Sequence, residues 1–572
     1  MNGKEFSNSR PAASFQLPLL AWPAWLGMLL DLQYINMSSV VEESSSAIPA
    51  VVRQKATETG TIHAADQCDA NVCSSSSSSS RAGAQKPQTP HLEYRNNASL
   101  IAPIRVDVTA SPSLRDQQIT RAVRVIRPDL FVNDRPSHTY SSVSHAHRIT
   151  IRQLGGGLSN HLYVAHPGGR EEAVLVRIHA EDEEDNGVEA SATGTGSSDS
   201  PGALPASASS SSSSVPAPTF VDREVENRVL AWLSSEGLAP TFHGRFTNGR
   251  VEEFYDGFRP LSWDELRLPR FAVPVARALA NLHCAHPPEG VLNISMKQRK
   301  EGEIWSRISE WFDMASNASS DVAEANELLQ TMKVEWEWLQ ATLRPSSNDI
   351  ILASASTHPD LQYDFSDMQS VASSYFRQVV FTHMDCQSLN ILTPCDGFHL
   401  GDDSSDNVAG SENDKEFQAI ESKLEVEGNG REKEKGGDHA SVRLIDFEYA
   451  GVNPRAADIA NTFSEYCNMN NLEPDYESQY PTHEQQDVFL RAYIETASPE
   501  LARHLDQVED GWASFLAAAR VEVGQHTLLS HIGWGIWAIA QESLSNIEFD
   551  YLKYARLRLD GYFHFKERYF EF

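Results

Sequence analysis

Residues 381–392 read FTHMDCQSLNIL, and this stretch decides which fold the rest of the chain is expected to adopt. It carries His383, Asp385 and Asn390 in the spacing HxDxxxxN. The β-branched residues before the motif and the apolar pair after it predict a strand on each side. The acid and the amide are therefore predicted to lie five residues apart on a loop between two strands.

This loop has the side chains that phosphoryl transfer needs. The carboxylate of Asp385 can accept a proton from an attacking hydroxyl, and the amide oxygen of Asn390 can bind Mg²⁺. Alone the pattern is weak, because Asp and Asn in turns commonly hydrogen-bond the local backbone. A second apolar strand in VRLIDFEYA (442–450) leads into Asp446, at the position where kinase-like folds place their second metal ligand. Together the two segments favour a phosphotransferase site.

Composition limits how much of this 572-residue chain can fold. The N-terminal part is rich in Ser, Ala, Thr and Pro, with an unbroken serine run at 74–80, and two later segments are similarly biased. Such segments bury too little apolar surface to offset the entropy that ordering removes. We therefore predict a disordered leader over 1–115 and disordered inserts at 182–219 and 397–441, the second one acidic.

Charge and cysteine content exclude several classes of protein. A formal net charge of −32 argues against a nucleic-acid binder, whose phosphate contacts need clustered Lys and Arg. The six cysteines form no CxxC pair, so we expect neither a zinc site nor a disulfide framework, and a cytoplasmic location fits best. The apolar stretch 15–32 is short and interrupted by proline, which favours a disordered extension over a membrane anchor, and no other stretch could span a bilayer.

Residues 116–258 are predicted to form a β-rich lobe that binds a nucleotide. A glycine turn at 155–157 lies between two predicted strands and could let backbone amides approach phosphates, although a plain hairpin fits equally well. Arg177 lies inside the next apolar strand, where a buried cation needs an anionic partner. The candidate partner is Glu226, on a helix predicted over 221–240; the alternative is that both side chains face solvent.

Residues 259–572 are predicted to form a helical lobe that contains the catalytic loop. Trp534 and Trp537 lie at i and i+3, so both can point from one helical face into one pocket. Two tryptophans at that spacing are more commonly core residues. The functional alternative is a ring-lined pocket for a cation, since aromatic faces attract a desolvated ammonium by about 2 kcal/mol each.

The chain resembles the choline/ethanolamine kinase family, whose kinase-like fold is related to that of the aminoglycoside phosphotransferases. The resemblance extends in the family's order from about residue 147 to 565 and rests on GGGLSNHLY, VLVRIH, FTHMDCQSLNIL, VRLIDFEYAGVNPRAADIANTFSEY and SHIGWGIWAIAQESLSNIEFDYLKYARLR. Several independent strings are more specific than one motif. The resemblance implies an α+β, two-lobed protein-kinase-like fold with a β-rich N-lobe and a helical C-lobe.

The resemblance also implies roles for the residues that match the family. Asp385 would be the catalytic base, and Asn390 and Asp446 would hold Mg²⁺. The residues that would bind or support ATP are Gly155, Gly156, Gly157, Ser159, Asn160, Arg177 and Glu226. The residues that would line the amine pocket are Tyr449, Glu465, Trp534, Trp537, Phe549 and Tyr554.

Two positions depart from the family pattern. Met384 stands where the family commonly has Asn, so an amide hydrogen bond near the site is expected to be missing. Asn470 stands where choline kinases often place another pocket aromatic.

The strings CQSLNIL and LIDFEY are closer to choline kinases than to ethanolamine kinases, while the aromatic set is common to both. The resemblance therefore implies an ATP-dependent choline kinase that makes phosphocholine, the first step towards phosphatidylcholine. The alternatives are an ethanolamine or dual-specificity kinase, a pseudokinase, and a kinase of another small hydroxyl substrate. The family also allows a homodimer.

Overall fold

The structure is a computed structural model. It describes residues 93–131, 149–154, 160–168, 172–179, 220–318, 322–345, 364–395, 442–469, 472–545, 547 and 549–570. The apolar stretch 15–32, Gly155, Gly156, Gly157, Ser159, Asn470 and both predicted inserts lie outside these residues. Among the residues described, no helix is both long enough and apolar enough to cross a membrane.

A twisted sheet dominates the first lobe. Its elements are β1 (Ile101–Ala102), α1 (Pro112–Ile126), β2 (Thr150–Leu154), β3 (Asn160–His166), β4 (Val174–His179), α2 (Arg223–Ser235), β5 (Phe242–Phe246) and β6 (Gly249–Glu253). The strand order is β1-β5-β6-β4-β3-β2, with β1 parallel to β5 and the other neighbours antiparallel. Strands β5 and β6 form a hairpin with Thr247 and Asn248 in the turn, because Phe246 pairs with Gly249. A Cβ on Gly249 would lie 2.3 Å from the carbonyl oxygen of Arg177.

The folded part begins earlier than residue 116, where the disordered leader was predicted to end. Strand β1 pairs with β5, and Ala102 is fully buried in the cluster that also contains the apolar face of α1. The side chain of Asn248 accepts the backbone N–H of Val106 at 3.0 Å and donates to its carbonyl at 2.9 Å. Residues 93–115 lack a long alternating pattern, so these tertiary contacts and not local propensity order the segment.

The second lobe is mostly helical. Its elements are β7 (Phe258–Pro260), α3 (Pro269–His283), α4 (Met296–Glu301), α5 (Ile304–Ala318), α6 (Ala323–Leu343), α7 (Met368–Phe376), β8 (Val379–Thr382), β9 (Ile391–Pro394), β10 (Arg443–Leu444), β11 (Gly451–Pro454), α8 (Arg455–Glu465), α9 (Tyr476–Gln479), α10 (His483–Ala497), α11 (Pro499–Leu505), α12 (Gly511–Leu544) and α13 (Tyr551–Tyr569). A β-rich lobe followed by a helical lobe confirms the predicted two-lobed, kinase-like α+β architecture.

Helix α12 is the central element of the second lobe. It is buried along most of its length and packs against α13, α5, α8 and α7. A helix that is apolar on most of its surface is expected at the centre of a domain, where no face meets water. Because α8 and α13 both pack on α12, the side chains that they carry towards it are held near the end of the catalytic loop.

Candidate active site

Two antiparallel strand pairs bring the two predicted motifs together. In the first pair, Thr382 at the end of β8 lies opposite Gly451 at the start of β11. In the second pair, Ile391 at the start of β9 lies opposite Leu444 in β10. The loop 383–390 connects β8 to β9, and the segment 445–450 connects β10 to β11. The two pairings therefore hold these segments side by side. The backbone N–H of Ile445 bonds the carbonyl of Asn390 at 3.0 Å, which closes the gap between them.

Asp385 lies partly buried at the centre of this loop. The side-chain amide nitrogen of Asn390 donates to Oδ2 of Asp385 at 2.8 Å and to the backbone carbonyl of Asp385 at 2.9 Å. Burial, followed by the nearby carboxylates of Glu465, Asp446 and Glu448, raises the pKa of Asp385 well above its ordinary value. A raised pKa makes the ionised carboxylate a stronger proton acceptor, and a cation bound nearby would favour that ionised form.

Asn390 and Asp446 have the oxygens that a divalent cation needs. The NH₂ group of Asn390 is used by Asp385, so its carbonyl oxygen stays available as a ligand. Oδ1 of Asp446 is buried and has no hydrogen-bond partner among the described residues. Its closest cationic neighbour is Arg177, with Nη1 at 3.6 Å. Mg²⁺ prefers such amide and carboxylate oxygens and completes its shell with phosphates and water, so the residues present fit this ion.

The imidazole of His383 connects the two segments. Its Nδ1 accepts the backbone N–H of Asp385 at 3.3 Å, and its Nε2 bonds the carbonyl of Ile445 at 3.0 Å. Since Nδ1 accepts, the ring hydrogen lies on Nε2. Burial lowers the pKa of His383, which keeps the ring neutral. The ring thus positions the residue before Asp446 relative to Asp385.

Asp458 of α8 anchors the start of the loop 383–390 through its carboxylate. This residue was not identified from the sequence. Its carboxylate is fully buried and accepts the backbone N–H groups of His383 and Met384 at 2.7 and 2.8 Å, and Nε2 of His283 lies 2.9 Å away. Burial opposes its ionisation, but the hydrogen bond and charge of His283 outweigh burial and lower the pKa of Asp458. The signal in the sequence is weak and consists of an acid flanked by Ala457 and Ile459 in PRAADIAN (454–461).

Met384 adopts a backbone conformation that is unusual for its type. Its φ of 64° lies in the left-handed region, which Asn and Asp adopt far more readily than Met. The side chain of Met384 lines a small cavity together with Asn461, whose buried Nδ2 has no hydrogen-bond partner among the described residues. The position that departs from the family pattern thus has a strained backbone and shares a cavity with an unsatisfied amide.

A cluster of buried charges lies beside the loop, and its pairing differs from the prediction. The Nε of Arg177 donates to Glu252 at 3.0 Å, whereas Glu226 accepts from Arg250 and Arg223, each at 2.8 Å. The predicted direct bond between Glu226 and Arg177 is therefore absent among these contacts. The physical reason is that Arg177 and Arg250 stand directly opposite each other on β4 and β6, so the two like charges need carboxylates between them.

Two further polar residues complete this side of the site. Glu448 accepts from Arg223 at 3.3 Å, and burial together with the charges of Asp446 and Glu226 raises the pKa of Glu448 to about 7. Asn160, at the start of β3, lies opposite His179, and the two side chains are 3.0 Å apart.

The aromatic residues predicted for the amine pocket form one contiguous cluster. Ring centroids are 5.1 Å apart for Tyr449 and Trp534, 5.4 Å for Trp534 and Trp537, and 5.8 Å for Phe549 and Tyr554. Tyr551, which was not predicted, joins the two halves of the cluster through Trp537 at 6.0 Å and Phe549 at 4.9 Å. Glu465 is joined to this cluster through Arg558, whose Nη2 donates to Oε1 of Glu465 at 2.9 Å and to the hydroxyl of Tyr554 at 2.6 Å.

Two cavities adjoin the aromatic cluster. One, of about 30 Å³, is lined by Tyr449, Trp534 and Met384 among others, and is large enough for a water molecule. The other, of about 380 Å³, opens beside Phe549 and Tyr551. The space between Tyr449, Trp534 and Met384 is thus too small for an amino alcohol, whereas the cavity beside Phe549 and Tyr551 is large enough for one.

Comparison with known proteins adds to this geometry. The family model described as choline/ethanolamine kinase matches residues 216–563. "Probable choline kinase 2" of Arabidopsis thaliana is 28% identical over 357 residues, covering 61% of this chain and 75% of that protein. "Ethanolamine kinase 1" of Homo sapiens is 27% identical over 346 residues, covering 60% and 59% respectively.

The chain is also similar to a solved structure. The crystal structure of a choline kinase from Cryptosporidium parvum matches with a TM-score of 0.48 and 23% identity, covering 74% of this chain and 91% of that one. The family model spans more than half of the chain and includes both catalytic motifs. The protein belongs to the choline/ethanolamine kinase family.

Proposed function

We propose that this protein is an ATP-dependent choline kinase that forms phosphocholine, with ethanolamine as a slower second substrate. The observation that carries the proposal is the placement of Asp385. Asn390, a candidate metal ligand, donates to this carboxylate at 2.8 Å, and the adjacent residue Met384 lines one cavity with Tyr449 and Trp534 of the aromatic cluster. Family membership supports phosphate transfer to an amino alcohol, and the rings favour the quaternary ammonium, which has no N–H groups and is held best by aromatic faces.

In the proposed reaction, Asp385 orients the substrate hydroxyl and accepts its proton as the oxygen attacks the terminal phosphorus of ATP. The new O–P bond forms while the bond to the ADP oxygen breaks, and the electron pair leaves with ADP. Arg177 lies next to Asp446 and is placed to contact the phosphates. Asn390 and Asp446 would hold Mg²⁺, which, when bound, offsets the negative charge of the phosphates.

Ethanolamine is the second candidate because the relatives include kinases for both substrates. Its ammonium carries three N–H donors and needs acceptors, which Glu465 can supply. The difference between the substrates is three methyl groups against three donors, and small changes in a pocket shift such a balance.

The test is an ADP-release assay that compares choline with ethanolamine, with and without Mg²⁺. We expect kcat/KM to be higher for choline, and turnover to need the ion. Asp385→Asn is expected to lower kcat at least about 100-fold, the typical contribution of a general base, while the circular dichroism spectrum stays unchanged. The exposed Asp264→Asn serves as a matched control and should keep the wild-type rate.

Three outcomes would contradict this proposal. A near-normal rate for Asp385→Asn would remove this residue from the mechanism. Binding of ATP without turnover of any amino alcohol would favour a pseudokinase. Calorimetric binding of an aminoglycoside but not of choline would indicate a different hydroxyl substrate.

A further inference from the structure

Arg558 is a buried cation directly behind the aromatic cluster. It lies on α13, its side chain is only 1% exposed, and its Nη2 donates to Oε1 of Glu465 at 2.9 Å. The same guanidinium donates twice to the hydroxyl of Tyr554, from Nε at 2.9 Å and from Nη2 at 2.6 Å. Glu465 and Tyr554, both predicted for the amine pocket, are thus joined through one side chain that the sequence reasoning did not identify.

These bonds determine which hydrogen-bonding groups remain for a substrate. A tyrosine hydroxyl has one hydrogen to donate and two lone pairs to accept with. Arg558 occupies both lone pairs of Tyr554, so the hydroxyl hydrogen points away from the guanidinium and the oxygen cannot accept from an ammonium. Arg558 also donates to Oε1 of Glu465 and so occupies one acceptor position of that carboxylate. The guanidinium therefore removes three acceptor positions from this side of the cluster.

Stability alone does not account for Arg558. Its Nη1 is buried and has no hydrogen-bond partner among the described residues, which is unfavourable for a cation. A buried ion pair commonly stabilises a fold no better than apolar residues of the same volume. The nearby imidazole of His531 does not satisfy it either, because both ring nitrogens are buried and have no hydrogen-bond partner among the described residues. Such incomplete satisfaction is typical of functional sites.

We propose that Arg558 is a positioning residue that makes the amine pocket selective for a quaternary over a primary ammonium. A primary ammonium carries three N–H groups and gains from each acceptor it meets, whereas a quaternary ammonium gains from ring faces only. By occupying acceptors on Glu465 and Tyr554, Arg558 penalises the primary amine selectively. This inference rests on the proposed function, because it concerns the amine site of that reaction.

The first test replaces Arg558 and measures the selectivity ratio, which is kcat/KM for choline divided by kcat/KM for ethanolamine. Arg558→Met frees the three acceptors and is expected to lower this ratio at least about tenfold, while KM for ATP stays within about twofold of the wild type. Arg558→Lys keeps the charge but cannot bridge two partners, so the ratio should fall to an intermediate value. Arg556→Met is the matched control, because Arg556 lies on the same helix but pairs with Glu324 at the surface.

A second pair of variants keeps the test decisive if Arg558→Met does not fold, since that change leaves Glu465 without its counter-ion. Arg558→Met/Glu465→Gln removes both charges, and its ratio is compared with that of Glu465→Gln alone. We expect a lower ratio in the double variant, because only there can Tyr554 accept from ethanolamine.

Equal ratios in the two members of either comparison would overturn the role of Arg558, even if both substrates react more slowly. A wild-type enzyme that turns over neither amine would instead overturn the proposed function, so the two failures are distinguishable.

Discussion

Replacing Met384 by Asn should make the protein more stable, although the position lies next to the candidate base. Met384 has a φ of 64°, and a non-glycine residue in this region costs about 1–2 kcal/mol, less for Asn, which adopts it readily. An amide there can also bond the unpartnered Nδ2 of Asn461, which lines the same cavity. A buried unsatisfied donor costs about 1–3 kcal/mol.

The gain is reduced because the apolar contacts of a partly buried Met are lost, which is worth about 1–2 kcal/mol. The expected net change is an increase of about 1 kcal/mol in the free energy of unfolding. For a folded region of this size that raises Tm by about 1–2 °C. The measurement is differential scanning calorimetry at fixed protein concentration, without nucleotide.

The control is Met384→Leu, which keeps the volume and the left-handed backbone but supplies no amide. It should leave Tm unchanged or slightly lower. If Met384→Asn is no more stable than Met384→Leu, then the left-handed backbone of residue 384 and the unbonded Nδ2 of Asn461 cost less free energy than stated above.

Two other predictions concern buried carboxylates. Asp458→Asn removes a buried charge that accepts from two backbone N–H groups and faces His283. The free energy of unfolding, measured by urea titration, should fall by about 3 kcal/mol. A loss below about 1 kcal/mol would show that other contacts hold the loop. Glu448 has its pKa raised from 4.5 to about 7, so the folded protein keeps a proton that the unfolded chain releases in this range. Its contribution to stability is therefore complete below pH 4.5 and is lost as the pH rises through 7. The decline of Tm between pH 5 and 8 should be shallower in Glu448→Gln, and parallel profiles would contradict the shift.

The catalytic loop could be predicted because its signals are local. Asp385, Asn390 and Asp446 each stand next to a short apolar run, and those runs pair as antiparallel strands. The pairing persists although the chain between β9 and β10 contains the predicted acidic insert 397–441. Local patterns of this kind need no knowledge of the rest of the fold.

Contacts between residues distant in the chain could not be predicted in the same way. Asp458 and Arg558 each stand in a helical pattern where an exposed charge is the ordinary interpretation. The partner of Glu226 depended on the register of β4 and β6, because that register sets Arg177 opposite Arg250. Registers are decided by turn geometry and by the packing of whole sheets, which short sequence patterns do not specify.

The imidazole of His383 has a consequence for attempts to move this chemistry elsewhere. One ring nitrogen touches the backbone of Asp385 and the other touches Ile445, immediately before Asp446. The proton acceptor and the candidate magnesium ligand are therefore geometrically interdependent, and neither can be transplanted alone. A graft into another scaffold has to transfer the loop 383–390 and the segment 445–450 together. It also needs an acid that accepts from the loop's backbone N–H groups, as Asp458 does.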